Sequence, residues 1–327
     1  MLRVFIVSSL VASLLFPLSL GQAQASAPLR VVATTTQASD AVRVVAGALV
    51  DLSPLMGAGV DPHLYQPTTS DIQALNRAQV VVYSGLRLEG KFDEIFEALS
   101  ERGVRIYRLA QKVEDQGFAL TTPQGTSDPH FWFDPRNWEL SILGLAETLA
   151  ELDPAHAEIY RGNAQTYVGV LQSLYTWGVE ALQAIPAEQR VLVTSHDAFA
   201  YFGDAFGLEV EAIQGISTAD EAGVSDIQAI VDVVITRQIP VIFVESSVPP
   251  NTILSVQEAA RSQGWEVRLG VRELFSDAMA TEGEYGATYL EMLIFNILTV
   301  LQSFGAEVLP LPELLPQPPA ELLAIGG

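Results

Sequence analysis

The chain has no cysteine among its 327 residues, only four histidines, and 17 lysines and arginines against 39 aspartates and glutamates. Without cysteine there are no disulfides, no thiolate metal sites and no cysteine nucleophile. A formal charge of −22 argues against a nucleic-acid partner, because phosphate binding needs clustered Lys and Arg, and it is compatible with drawing in cations. Sequence signatures of enzymes are scarce too: there is no His-Glu-x-x-His, no Gly-x-Ser-x-Gly and no glycine loop that would cradle phosphate. Beyond the N-terminus no apolar run reaches the roughly 18 residues of a spanning helix.

The N-terminus itself, MLRVFIVSSLVASLLFPLSLGQAQASAP, has Arg3, an apolar run and then Ala23-Gln24-Ala25. This is the pattern of a cleavable secretory leader ending near residue 25. No cysteine follows the run, so a lipid anchor by that route is not expected. The mature chain is expected to be a soluble protein of the periplasm and a monomer.

Past the leader, apolar segments alternate with helical ones. LRVVATTT (29–36), QVVVYSG (79–85) and VRIYRL (104–109) read as buried strands, with helices over 37–48 and 91–99. After residue 186 the pattern restarts with RVLVTS (190–195), PVIFVES (240–246) and WEVRLG (265–270), and a last helix falls within 283–304. Strands alternating with helices imply parallel α/β units. Between the halves, Asp153-Pro154 supplies a cap and a first-turn proline, and nothing stops a helix before Pro186. Its apolar stripe is Ile159, Tyr167, Leu171, Leu174, Leu182 and Ile185. Thirty-two residues would span roughly 48 Å, too long for a crossover, so the segment reads as a rod between two lobes. Gly162, Gly169 and Gly178 each weaken it by about 1 kcal/mol relative to alanine. The organisation expected is a leader at 1–25, a first lobe at 26–136, connecting helices at 137–186, a second lobe at 187–305 and a proline-rich tail at 306–327, disordered or loosely docked. The halves also echo each other: SDIQAL (70–75) and SDIQAI (225–230) each begin a Ser-x-x-Gln capping box and precede an apolar strand.

Two of the four histidines, His63 and His130, share the tripeptide Asp-Pro-His in loops, and His196 directly follows a strand. Ligands bind at strand ends in open α/β sheets. A proline before the histidine stiffens its approach, which suits a metal ligand that must be placed within a few tenths of an ångström. His156, in the first turn of the rod, reads as surface. Histidine suits zinc and other divalent ions, and a carboxylate commonly completes such a site. Asp197, Asp204, Glu211, Asp220, Glu245 and Asp277 are available in the second half, and spacing does not choose between Glu245 and Asp277. Ser195 beside His196 has the wrong geometry for a nucleophile–base pair. Phe131, Trp132 and Phe133 read as packing rather than a substrate platform.

GVDPHLYQPTTSDIQAL, SGLRLEGKFDEIF, SDPHFWFDP, VTSHDAFAYFGDAFGLEV, GISTADEAGVSDIQ, FVESSVPPNTI and ELFSDAM, in this order over about 29–304, resemble the zinc/manganese solute-binding proteins of ABC importers, the TroA-like or ZnuA-like group. The resemblance implies two small α/β lobes with parallel sheets, joined by one long helix, with the ion in the cleft. It implies His63, His130, His196 and Asp277 as metal ligands, thereby selecting Asp277. It also implies a receptor without catalysis, delivering Zn²⁺ or Mn²⁺ to an ABC permease, with small lobe shifts on capture. Two departures bear on the metal. The segment 112–127 is short and lacks the histidines of the zinc-dedicated loop, while His196 stands where manganese-dedicated relatives often carry glutamate. Three imidazoles and a carboxylate match four-coordinate zinc; a bidentate Asp277 would give five donors and suit manganese better. The rival readings are a zinc-dependent hydrolase, which needs an open coordination position and a general base, and a carrier of a metal chelate or haem, which needs a roomier cleft.

Overall fold

The computed structural model describes residues 27–122 and 125–324; the expected leader lies outside them. The two halves share one strand order, built as one four-stranded sheet in the first and as two strand pairs in the second. The first runs β1 (Leu29–Ala33), α1 (Thr36–Ala46), β2 (Val50–Pro54), α2 (Thr69–Arg77), β3 (Val80–Tyr83), α3 (Asp93–Glu101) and β4 (Arg105–Arg108), with parallel order β2-β1-β3-β4. After α4 (Gln111–Asp115), α5 (Pro135–Leu152) and α6 (Ala157–Leu182), the second runs β5 (Val191–His196), α7 (Ala200–Phe206), β6 (Glu209–Gln214), α8 (Val224–Thr236), β7 (Val241–Ile242), α9 (Asn251–Ser262) and β8 (Arg268–Leu269). Its β5–β6 and β7–β8 pairs are parallel and meet where Phe243 N–H donates to the Val193 carbonyl, giving the order β6-β5-β7-β8. Then follow α10 (Tyr289–Ser303) and α11 (Ala320–Leu323).

Side-chain alternation explains how the lobes are fastened. Successive strand residues face opposite sides of a sheet. Val31, Ala33, Val80 and Val82 enter one large core with α1, α5, α6 and α10, and Leu192, Val241 and Phe243 enter the same core from the second sheet. The alternate residues turn the other way: Val32 and Val81 pack with Leu75, Phe92 and Phe96, and Val191, Val193 and Ile242 pack with Val231 and Ile253. Each sheet therefore has a private face and a face shared through the helical middle. The α/β architecture with parallel sheets and a long helix is as the sequence implied.

Several local expectations are corrected. The long helix is 26 residues, not thirty-two: Pro154–His156 forms a single 3-10 turn, regular helix begins at Ala157, and it ends at Leu182, three residues short of Ile185. The later start is due to Asp153, whose carboxylate accepts from the His156 ring and the Tyr160 hydroxyl and tightens that turn. The buried stripe begins at Tyr160, while Ile159 is 48% exposed. Nor is the rod alone, since α5 packs along it. The caps of α2 and α8 lie two residues earlier than expected, at Thr68 and Gly223. Asp71 and Asp226 reach back to their N–H groups, because a short aspartate at the third helical position fits that distance. Strands β2 and β6 escaped the sequence reading. Both are edge strands, and VDLSP and EVEAIQ carry the charges and proline that edges tolerate.

The tail is docked. Leu315 is buried, Trp177 Nε1 lies 3.4 Å from the Leu309 carbonyl, Gln302 donates to the Leu322 carbonyl at 2.6 Å, and Tyr285 donates to the Pro316 carbonyl at 3.2 Å. Among the described residues, no helix is long and apolar enough to cross a membrane.

Candidate metal centre

Both Asp-Pro-His tripeptides fold the same way. The Asp61 carboxylate accepts the His63 N–H at 2.8 Å, and the Asp128 carboxylate accepts the His130 N–H at 2.9 Å. These are aspartate turns, in which a side chain caps the backbone two residues on, with the intervening proline fixing the turn's φ. The shared motif is thus a rigid bracket that aims an imidazole. His196 is placed differently, as the last residue of β5, its N–H donating to Glu245 at 2.8 Å. Asp277 follows β8, its N–H 3.3 Å from the Ser247 hydroxyl.

The four side chains converge. One donor atom from each of His63, His130, His196 and Asp277 lies within 4.8 Å of all the others, and all four residues are buried. His63 Nε2 is 3.3 Å from His130 Nε2, His130 Nε2 is 3.4 Å from Asp277 Oδ1, and His196 Nε2 is 3.3 Å from Asp277 Oδ2. Bonds of about 2.0–2.1 Å to a central zinc put tetrahedral donors about 3.3–3.4 Å apart. His63 Nε2 stands farther from Asp277 Oδ2, at 3.9 Å. Both Asp277 oxygens and His196 Nε2 are buried without a hydrogen-bond partner among the described residues. Such groups are costly to bury unless a cation satisfies them. Since each Asp277 oxygen faces a different histidine, the carboxylate can offer one donor or two.

A further ring of carboxylates backs the histidines. Asp128 Oδ1 lies 2.7 Å from His130 Nδ1, and Glu245 Oε2 lies 2.5 Å from His196 Nδ1. Asp128 fixes the His130 ring so that Nε2 faces the centre, the arrangement that orients metal-bound imidazoles, whereas Glu245 Oε2 touches His196 Nδ1 outside hydrogen-bond geometry and Glu245 holds His196 through its backbone N–H. Burial disfavours a charged His130, but Asp128 and Asp277 overcome it and push the ring up to about 9. Burial likewise opposes a charged His196, yet Glu245 and Asp277 raise it well above the usual range. Burial would raise Asp277, but His196 and His130 hold it well below the ordinary carboxylate range. His63, without such a carboxylate behind its ring among the described residues, is pushed down by burial to about 4, despite Asp277.

Of the carboxylates that spacing left open, Glu245 stands behind His196 rather than in the centre. Asp197, Asp204, Glu211 and Asp220 are not in the cluster. His156 is remote, paired with Asp153 at 2.7 Å. Phe131, Trp132 and Phe133 are core residues, Phe133 stacking on Phe199 at 4.6 Å between ring centroids. Sequence reasoning missed the roles of Asp61 and Asp128, though the repeated Asp-Pro-His held the signal: a turn-forming aspartate two residues before each histidine.

Comparison with known proteins agrees with this geometry. The zinc-binding protein TroA of Treponema pallidum is 39% identical over 275 residues, covering 84% of this chain and 88% of the relative. The manganese-binding lipoprotein MntA of Bacillus subtilis is 38% identical over 275 residues, covering 84% and 89%. The solved structure of the T. pallidum periplasmic zinc-binding protein TroA superposes with a TM-score of 0.81 at 38% identity, over 85% of this chain and 99% of that one. The profile of ZnuA, the periplasmic component A of the zinc-uptake complex, matches residues 31–303, and the chain is a member of that family.

Proposed function

We propose that this chain is an exported receptor that binds one bare divalent ion, Zn²⁺ or Mn²⁺, through His63, His130, His196 and Asp277, and delivers it to the permease of an ABC importer. The observation that carries this reading is the buried convergence of three imidazole nitrogens and a carboxylate, all within 4.8 Å of one another and with three contacts at 3.3–3.4 Å. The family is one of solute-binding receptors, and its members include periplasmic and lipoprotein binders of zinc and manganese. In this reading the chain is monomeric and performs no catalysis. Residues 1–25 are a cleaved leader, the lobes run over 26–136 and 187–305, residues 137–186 connect them, and 306–327 form a tail.

The spacing speaks against both rivals. Donors within 4.8 Å of one another leave room for an ion and none for a chelate or haem. Four protein donors leave a tetrahedral ion no open position for the attacking water of a zinc hydrolase. As to the metal, one oxygen from Asp277 gives the four-coordinate site that zinc prefers, and two give five donors; the usual affinity order favours zinc. The deciding experiment is titration of the demetallated mature protein with Zn²⁺ and Mn²⁺, singly and in competition, near neutral pH. Tight 1:1 zinc binding with weak manganese binding makes this a zinc receptor. Comparable tight binding of both points to manganese uptake, with availability deciding. Binding of neither overturns the site.

A further inference from the structure

Hydrogen bonds that cross the cleft are few near the centre, and they differ in kind. Tyr201, buried on α7, donates to the Asp128 carbonyl at 3.1 Å and accepts from Leu120 N–H at 2.8 Å, fastening the His130 loop to the second lobe. Met279 N–H donates to Thr36 Oγ1 at 2.9 Å beside Asp277. At the rim, Thr218 Oγ1 donates to Asp61 Oδ2 at 2.6 Å, joining residues 157 apart in sequence. The first two involve buried side chains or segments anchored to helices. The third joins two segments that are neither helix nor strand, with Asp61 and Thr218 both half-buried.

Asp61 uses its other oxygen, Oδ1, to hold the His63 N–H. One carboxylate therefore bridges a metal-facing histidine of the first lobe and a hydroxyl of the second. This matters most for His63 because it is the least restrained of the three rings. His130 and His196 are backed by Asp128 and Glu245, whereas among the described residues no carboxylate stands behind the His63 ring. His63 is held through its backbone, and that backbone is held through Asp61.

We propose that the Thr218–Asp61 hydrogen bond is the latch of the cleft: Thr218 is a positioning residue that keeps the His63 loop against the second lobe and so sets how slowly a bound ion leaves. Opening the rim breaks this one contact and frees His63, while His130, His196 and Asp277 keep their supports. The latch rests on the receptor reading above, and its test is separable from that reading.

The test is the rate at which excess chelator strips zinc from the full mature chain. A neutral donor on a charged acceptor falls within the range whose loss changes an equilibrium by about tenfold or more. Thr218→Val keeps the shape and removes the donor. It should speed zinc loss by about tenfold while leaving the far-UV circular dichroism of the metal-free protein unchanged. Thr218→Ser restores the hydroxyl and should return the rate to within about twofold of the unsubstituted protein. In an Asp61→Ala background, Thr218→Val should add nothing further. A dissociation rate in Thr218→Val within twofold of the parent overturns the latch, as does failure of Thr218→Ser to restore it or full additivity with Asp61→Ala. Failure of the unsubstituted protein to bind zinc overturns instead the receptor reading.

Discussion

The two lobes use one scaffold to different ends. Their strand orders, β2-β1-β3-β4 and β6-β5-β7-β8, correspond, and the two central strands of each end at the cleft. At those ends the second lobe carries His196 and Glu245, a metal-facing imidazole and the carboxylate behind it, 2.5 Å apart. The first lobe carries Thr35 and Ser84 at the corresponding place, two hydroxyls 3.4 Å apart. Having no histidine on its strand ends, the first lobe sends in His63 and His130 from loops, each braced by its own aspartate turn. A strand end is held by its sheet and needs only a partner for its ring. A loop has to bring its own rigidity, and Asp-Pro-His is how this chain supplies it.

The comparison is broken most directly by removing a central group. Asp277→Ala should lower metal affinity by more than about 100-fold, beyond the range for supporting residues, and His63→Ala should also weaken binding greatly. Calorimetric titration of each variant checks this, and unchanged affinity in either would remove that residue from the site.

Acid should act nearly as strongly. In the metal-free site His130 holds a proton below about 9, so the ion must displace it, and apparent affinity should fall by up to about tenfold per pH unit for each such proton. The sign for folding is the reverse. A histidine raised from 6.5 to about 9 contributes stability to the metal-free protein that is fully present below 6.5 and lost as pH rises through 9. Affinity should therefore climb from pH 5 to 9, and that share of metal-free stability should decline between 6.5 and 9. Titrations and thermal melts across this range test both, and affinity flat with pH would contradict the proton count.

The two kinds of support are sharpened by Asp128→Asn and Glu245→Gln. Each should cost about 10–100-fold in affinity, with the metal-free fold intact by circular dichroism. Equal losses would mean the loop and strand histidines depend alike on the groups behind them. Losses of similar size are expected, because Asp128 also accepts the His130 N–H and Glu245 also accepts the His196 N–H.

The smallest effects concern the long helix between the lobes. A Cβ on Gly178 would come within 2.6 Å of the Phe206 ring and 2.9 Å of Ile297, whereas none would meet an atom within 4 Å at Gly162 or Gly169. Gly178→Ala should destabilise by about 1–3 kcal/mol through overpacking. Gly162→Ala should stabilise by about 1 kcal/mol through helix propensity. Denaturant unfolding measures both, and stabilisation by Gly178→Ala would show that the helix can shift against α7 and α10.

The sequence by itself determined the alternation of strands and helices, the helical middle and the histidines worth watching. Those signals are local: apolar runs, periodicity, a proline before an imidazole. The polar edge strands β2 and β6 were not legible, because an edge strand is recognised by its neighbour and not by its own hydrophobicity. Nor was the helix start at Ala157, which turns on where the Asp153 carboxylate finds its donors. The choice between Asp277 and Glu245 came from family resemblance, and spacing could not make it. Only the tertiary structure put Asp277 among the imidazoles and Glu245 behind one of them. The reason is that one residue lies on a loop after β8 and the other just past β7, the strand beside β5, a difference in position that no stretch of sequence encodes alone.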